Sequence, residues 1–181
     1  KVTDTFIENL MIIEPSIYKD YRGFFLESYN KQQFIKHGLG YDFIQDNHSL
    51  SLKKGTIRGI HFQTEPFGQA KLVRCIRGEI IDYAIDLRKK SSTFLKWYSL
   101  HLNETNQKQL LIPRGFGHAF ITLRDYTEVM YKVDNHYSKE HEKSIYFQDD
   151  ILNLDWPNDL DYTLSNKDKN ARAWSEVIAK N

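Results

Sequence analysis

Lys71-Leu-Val-Arg-Cys-Ile-Arg-Gly-Glu-Ile-Ile-Asp-Tyr-Ala-Ile-Asp-Leu87 reads as two extended runs broken at Arg77-Gly78. In the second run Ile81, Tyr83, Ile85 and Leu87 fall on one side of a pleated strand, and Ile80, Asp82, Ala84 and Asp86 fall on the other. That period predicts a strand over 79–87 with one strongly apolar face and a mixed face that meets water or a cavity. Working outward, the same pattern predicts strands over 43–51, 56–62, 71–77, 94–102, 109–113, 118–122 and 127–133. Turn-forming breaks separate them at Lys54-Gly55, Pro66, Lys89 to Ser92, Asn103 to Asn106 and Arg114-Gly115. Helical periodicity is nearly missing here, so the fold is predicted to be all-β dominated, an antiparallel sandwich or barrel.

The flanks are simpler. Residues 10–14 and 16–18 read as extended on either side of Pro15, and an Asp20-Tyr-Arg-Gly23 turn leads into a further extended run over 24–29. Asn30 with Gln33 three positions on predicts a capped, short peripheral helix through Ile35, closed by His37 and Gly38. Residues 154–157 read as a turn or extended patch, while Ala171, Trp174, Val177 and Ile178 recur at near-helical spacing and predict a C-terminal helix.

Of the 181 residues, 40% are hydrophobic, enough for one substantial core, so 1–181 is expected to be a single domain. The aromatic share of 14%, with 11 Tyr and 11 Phe, suits sheets that carry rings on their faces. With 25 Lys and Arg against 24 Asp and Glu there is no global basic field, which argues against bulk nucleic-acid binding. No segment approaches the roughly 20 apolar residues of a bilayer span or looks like a leader, so no membrane association is expected. Cys75 stands alone, so neither an intrachain disulfide nor a thiolate zinc cluster can form, and a cytoplasmic location is expected.

The chemistry-bearing residue types concentrate in Arg58-Gly-Ile-His-Phe-Gln63, Gln69-Ala-Lys-Leu-Val-Arg74, Pro113-Arg-Gly-Phe-Gly-His118 and Tyr131-Lys132. Strand parity puts Lys71, Val73 and Cys75 on one face and Val129, Tyr131 and Val133 on one face, and both faces suit a barrel interior. Gly59 and His61 share a face by the same rule, which places Arg58 on the other. A bulge near Gly59 would bring Arg58 and His61 into one pocket; without it Arg58 is structural. Each residue also has a plain structural reading: a satisfied strand histidine, a solvent-facing cation, a core tyrosine with its hydroxyl capped. Metal is disfavoured, because His61 is followed by Gln63 where a metal-binding cupin barrel places a second histidine. His118 then makes at most two imidazoles, with no carboxylate near in sequence.

Across its length the sequence resembles the dTDP-4-dehydrorhamnose 3,5-epimerase family, sugar-nucleotide epimerases with a metal-free cupin jelly-roll fold. The resemblance runs through Asp20-Tyr-Arg-Gly-Phe-Phe-Leu-Glu-Ser-Tyr29, Gln45-Asp-Asn-His-Ser49, Thr56-Ile-Arg-Gly-Ile-His-Phe-Gln63, Gln69 to Arg74, Arg77-Gly-Glu79, Asp86-Leu-Arg88, Gln109 to His118 and Tyr131-Lys132. It departs at Ala70, where Gly is common, and at Gly117-His-Ala-Phe120, where Ala-His-Gly-Phe is common. Neither departure removes a reacting group.

The resemblance implies a cofactor-independent isomerase acting on dTDP-4-dehydro-6-deoxy-D-glucose. It implies His61 as general base, Asp168 as its carboxylate partner, Tyr131 as the opposing general acid, and Lys71 and Arg58 as the positive charges around the sugar and its developing oxyanion. His118 falls in the same pocket. Arg22, Phe25, Glu27, Gln45, Asn47 and Tyr137 correspond to nucleotide-side contacts, and the implied assembly is a homodimer in which part of the N-terminal region reaches the partner's site. The chemistry is coherent, since a C4 ketone acidifies the hydrogens on both C3 and C5, and a neutral imidazole, with an ordinary pKa of about 6.5, accepts a proton near pH 7. A C3-only epimerase of a related keto sugar and a non-catalytic sugar-nucleotide-binding cupin are the alternative readings.

Overall fold

The period of two along the central strands builds two facing antiparallel sheets. The computed structural model describes residues 1–178. Its six-stranded sheet contains β1 (Val2–Asp4), β2 (Met11–Ile13), β5 (Gln45–Ser51), β7 (Lys71–Arg77), β10 (Gln109–Ile112) and β12 (Thr127–Val133), in the order β1-β2-β10-β7-β12-β5. The five-stranded sheet contains β6 (Ile57–Gln63), β8 (Glu79–Asp86), β9 (Trp97–Asn103), β11 (Phe116–Thr122) and β13 (Glu142–Ser144), in the order β13-β6-β11-β8-β9. Strands β3 (Ile17–Asp20) and β4 (Gly23–Leu26) form a separate hairpin around the predicted turn.

The mixed face of β8 points into the sandwich. Ile80 and Ala84 pack there against Val73, Cys75, Leu110, Ile112 and Val129 of the opposite sheet, and Asp82 and Asp86 on the same side are fully buried. This corrects the choice left open above: that face meets the inter-sheet core and the cavity beside it. The apolar face, with Tyr83, Ile85 and Leu87, looks outward and is also buried. After β13 the chain crosses it, laying down Phe147, Leu152, Leu154, Trp174 and Val177. A sheet covered on both faces explains why charged residues on β8 occur among apolar ones and need internal partners.

The outer face of the six-stranded sheet is covered in the same way. Helix α1 (Lys31–Lys36) places Phe34 over Ile13, Leu72 and Leu111, with Tyr29 and Phe43 edge-on to one another. Its start follows the predicted cap: Asn30 is extended and its side chain accepts a hydrogen bond from the Gln33 amide.

The predicted strands over 71–77 and 127–133 match the observed ones end to end, and the other six central predictions differ only at their boundaries. The strand expected from 94 starts at Trp97, because Phe94 and Leu95 turn, with Leu95 in the left-handed region. The C-terminal helix, α3 (Trp174–Ile178), excludes Ala171. The local signals read from the sequence omit β1, β13 and the one-turn helix α2 (Asn166–Lys169). The capping pattern Ser165-x-x-Asp168 is the signal for α2: Ser165 is extended and its Oγ accepts from the Asp168 amide.

Candidate active site

His61 and Asp168 lie 107 positions apart in the chain, yet His61 Nε2 is 2.6 Å from Asp168 Oδ1. A backbone clip closes that gap. The Ile57 amide donates to the Thr163 carbonyl and the Thr163 amide donates to the Gly55 carbonyl, which lays the segment before α2 along the start of β6. Asp168 is buried, and burial alone would raise its pKa, but the hydrogen bond and charge of His61, with further bonds from Ser165 and Gly59, leave it below the usual carboxylate value. An ionised carboxylate on Nε2 holds the proton there and leaves the Nδ1 lone pair as the basic site of the neutral ring.

A bulge settles the parity conflict around Gly59. On β11, His118 pairs with His61 while Phe120 pairs with Arg58, so Ala119 faces both Gly59 and Ile60. Ile57 and Ile60, three apart, consequently both point into the outer core, while Arg58 and His61 both line the cleft between the sheets. Gly59 is required: its φ is +128° and a Cβ there would meet Ala119 Cβ at 2.5 Å. Arg58 is then tethered to β5, with Nε on Ser51 Oγ at 3.1 Å and Nη2 on the Leu50 carbonyl at 3.0 Å.

The opposite wall comes from the other sheet. Lys71 on β7 and Tyr131 on β12 point inward, with Lys71 Nζ 5.8 Å from the centre of the Tyr131 ring. Burial pushes the Lys71 ammonium down to about 8, against the pull of Asp82 and Glu142. Burial also raises the Tyr131 hydroxyl above the ordinary tyrosine value, opposed by Arg58 and aided by Glu142. The phenol therefore keeps its proton at neutral pH. His118 closes the floor, its Nε2 donating to the buried Asp82 Oδ1 at 2.7 Å. Burial holds its pKa below the ordinary imidazole value, so the ring is neutral and its Nδ1 is an acceptor.

These six predicted residues, His61, Asp168, Lys71, Tyr131, Arg58 and His118, line one cleft of about 510 Å³. An adjoining cleft of about 240 Å³ shares His61, Lys71 and Tyr131 and adds Gln45, Asn47 and Tyr137. Gln45 donates to Asn47 there, and Tyr137 donates to Glu142 at 2.8 Å. Arg22, Phe25 and Glu27 are not brought to either cleft within this chain. Arg22 sits at the hairpin tip against its own Asp20, Phe25 is 65% exposed, and Glu27 lines a separate cleft between the hairpin base and α1. Among the described residues no three His, Cys, Asp or Glu side chains are grouped to hold a metal ion.

A family model for dTDP-4-dehydrorhamnose 3,5-epimerase matches residues 4–176. The chain belongs to the dTDP-4-dehydrorhamnose 3,5-epimerase family. It is 47% identical over 179 residues to the dTDP-4-dehydrorhamnose 3,5-epimerase of Shigella flexneri, covering 97% of each chain. It superposes on the Bacillus anthracis dTDP-4-dehydrorhamnose 3,5-epimerase, solved with TDP and PPi bound, with a TM-score of 0.92 at 43% identity, covering 96% of this chain and 98% of that one. The dTDP-6-deoxy-D-glucose-3,5-epimerase of Legionella pneumophila, solved in complex with dTDP-4-keto-L-rhamnose, gives a TM-score of 0.94 at 39% identity, with 99% and 95% covered.

In this member of the epimerase family Glu142, Lys167 and Ser49 are among the polar residues that face the clefts without having been singled out in the sequence. Glu142 and Lys167 form an ion pair of 2.5 Å at the rim, and Ser49 lies in the wall of the larger cleft. Glu142 and Lys167 sit on a three-residue strand and a one-turn helix, too short for any period to expose them. Asp82 did carry a signal, being a carboxylate between buried apolar neighbours on a central strand.

Proposed function

We infer that this chain inverts C3 and C5 of dTDP-4-dehydro-6-deoxy-D-glucose, giving dTDP-4-dehydro-6-deoxy-L-mannose, by proton transfer through an enolate. The observation that carries this reading is the opposition of walls: His61 with Asp168 stands on the five-stranded sheet and Tyr131 on the six-stranded one. Inversion needs a proton removed from one side of a ring carbon and another delivered to the reverse side. A single base on one wall would only exchange it.

His61 Nδ1 takes the proton from the carbon beside the ketone, and Asp168 stabilises the imidazolium that forms. Charge passes to the C4 oxygen, where Lys71 and Arg58 supply positive charge; one such donor is worth roughly 3 to 4 kcal/mol in a transition state. Tyr131 returns a proton from the opposite wall and recovers its own from solvent. The same ketone serves both carbons, so one residue set acts twice. His118 Nδ1 accepts from a sugar hydroxyl, while Gln45, Asn47 and Tyr137 face the nucleotide side.

We propose further that the working unit is a homodimer of the 181-residue domain. The β3–β4 hairpin of one protomer carries Arg22, Phe25 and Glu27 to its partner's cleft, where the Arg22 fork pairs with the pyrophosphate and Phe25 packs at the base. The hairpin's exposed rings, Tyr18, Tyr21, Phe24 and Phe25, support this arrangement. A cytoplasmic location accords with the free thiol of Cys75. Among the described residues no helix is long and apolar enough to cross a membrane.

Incubation with dTDP-4-dehydro-6-deoxy-D-glucose in deuterated water tests the activity. Deuterium at both carbons with inversion at both is the expected result. Label and inversion at C3 alone would make the protein a C3-specific epimerase, and binding without exchange would make it a sugar-nucleotide-binding cupin.

A further inference from the structure

Asp82 is fully buried and uses one of its two oxygens. Oδ1 accepts from His118 Nε2 at 2.7 Å, while Oδ2 has no hydrogen-bond partner among the described residues. A buried carboxylate in that position needs a cation in its field. His118 is not that cation, because burial keeps its ring neutral.

The inward-facing cation from the opposite sheet is Lys71. The groups that face it are His61 and Arg58 from β6, His118 from β11, Tyr131 from β12, Glu142 from β13 and Asp168 from α2. Asp168 is engaged by His61 and meets its countercharge when that ring takes a proton. Glu142 is engaged by Lys167 and Tyr137. Asp82 is left as the carboxylate with no cation of its own. Its pull on the Lys71 ammonium is the largest force opposing desolvation, ahead of that of Glu142.

We propose that Asp82 is a positioning residue of this site: its buried carboxylate fixes the His118 ring through Oδ1 and supplies the countercharge that keeps Lys71 protonated where the ketone oxygen gains charge. The effect is electrostatic, acting through a low-dielectric interior beyond contact distance. The inference rests on the proton-transfer reading above for its catalytic meaning, while the coupling between Asp82 and Lys71 is a property of the free protein.

The test pairs Asp82→Asn and Asp82→Glu with the pH dependence of kcat and with an NMR titration of Lys71 in protein carrying 13C at lysine Cε. In the wild type the alkaline limb and the Lys71 titration should coincide near about 8. Asp82→Asn should move both to lower pH by about one unit or more, and Asp82→Glu should restore them. An Asp82→Asn enzyme slowed by one factor at every pH, with the Lys71 titration unmoved, would reduce Asp82 to a structural support. If Asp82→Asn does not fold, the wild type decides: the Asp82 carboxylate carbon should shift in step with Lys71, and indifference to it overturns the proposal. Absence of deuterium exchange in the wild type would defeat the function reading and leave this coupling measurable.

Discussion

His61 on β6 and His118 on β11 are direct register partners, and each has a buried aspartate on its Nε2. The two dyads look alike and differ in exposure: the His61 side chain is 30% exposed and that of His118 is 7% exposed. In the proposed mechanism that difference divides their work. A ring that must gain and lose a proton needs access to solvent or substrate, whereas a ring held neutral by burial serves as a fixed hydrogen-bonding group.

Replacing the open ring should therefore remove the chemistry. His61→Asn is expected to lower deuterium exchange at both carbons by about a thousandfold while dTDP affinity stays near that of the wild type. His118→Asn should retain measurable exchange at both carbons with a raised KM. Mass spectrometry of the sugar and calorimetry with dTDP would read both; normal exchange in His61→Asn would displace it as the base.

Tyr131→Phe keeps the ring and loses the proton. Exchange at the first carbon should persist, since the base side is intact, but inversion should fall by about a hundredfold or more. Proton NMR of the product separates label from configuration. Full inversion at both carbons would mean that a different donor occupies the opposite wall.

Arg22 should matter for holding substrate. Arg22→Ala is expected to raise KM roughly tenfold with kcat little changed, as removal of a uniform binding contact predicts. Co-expression of Arg22→Ala with His61→Asn separates the two possible arrangements. If the hairpin serves the partner's cleft, one site of each mixed dimer is complete and a component with the wild-type KM appears; if each hairpin serves its own chain, no site is complete and the residual activity keeps the raised KM.

Asp86 governs part of the acid stability. It is fully buried, and burial alone would raise its pKa, yet hydrogen bonds from Arg88, Ser91 and Thr93 bring it from 3.8 down to about 2. A pKa depressed in the folded state contributes stability that is fully present above 3.8 and lost as pH falls through about 2. The shift corresponds to about 2 kcal/mol. Urea denaturation should show this decline between those two values in the wild type, and Asp86→Asn should flatten it while lowering stability at neutral pH.

Much of the architecture was legible because it is written in nearest neighbours. The alternation along 71–77 and 127–133, the glycine turns and the Asn30 cap each depend on residues a few positions apart, and local sterics enforce them. The site's residue types were legible in the same strands. Two matters were not. Parity alone set Arg58 and His61 on opposite faces, and only the pairing of β6 with β11 revealed the extra residue at Gly59 that turns both inward. The mixed face of β8 was equally ambiguous, because what covers a strand is decided by segments far along the chain.

By itself, then, the sequence determined which stretches are strands, which side chains share a face, and that imidazole, ammonium and phenol groups stand at inward-capable positions. The tertiary structure decided which of them meet. Asp168 reaches His61 only because a returning segment closes along β6, and Asp82 reaches His118 only because β8 pairs with β11 in the same sheet. The reason is range: backbone period acts over a few residues, while the low-dielectric contacts that set proton affinities act through space and exist only once the chain has folded.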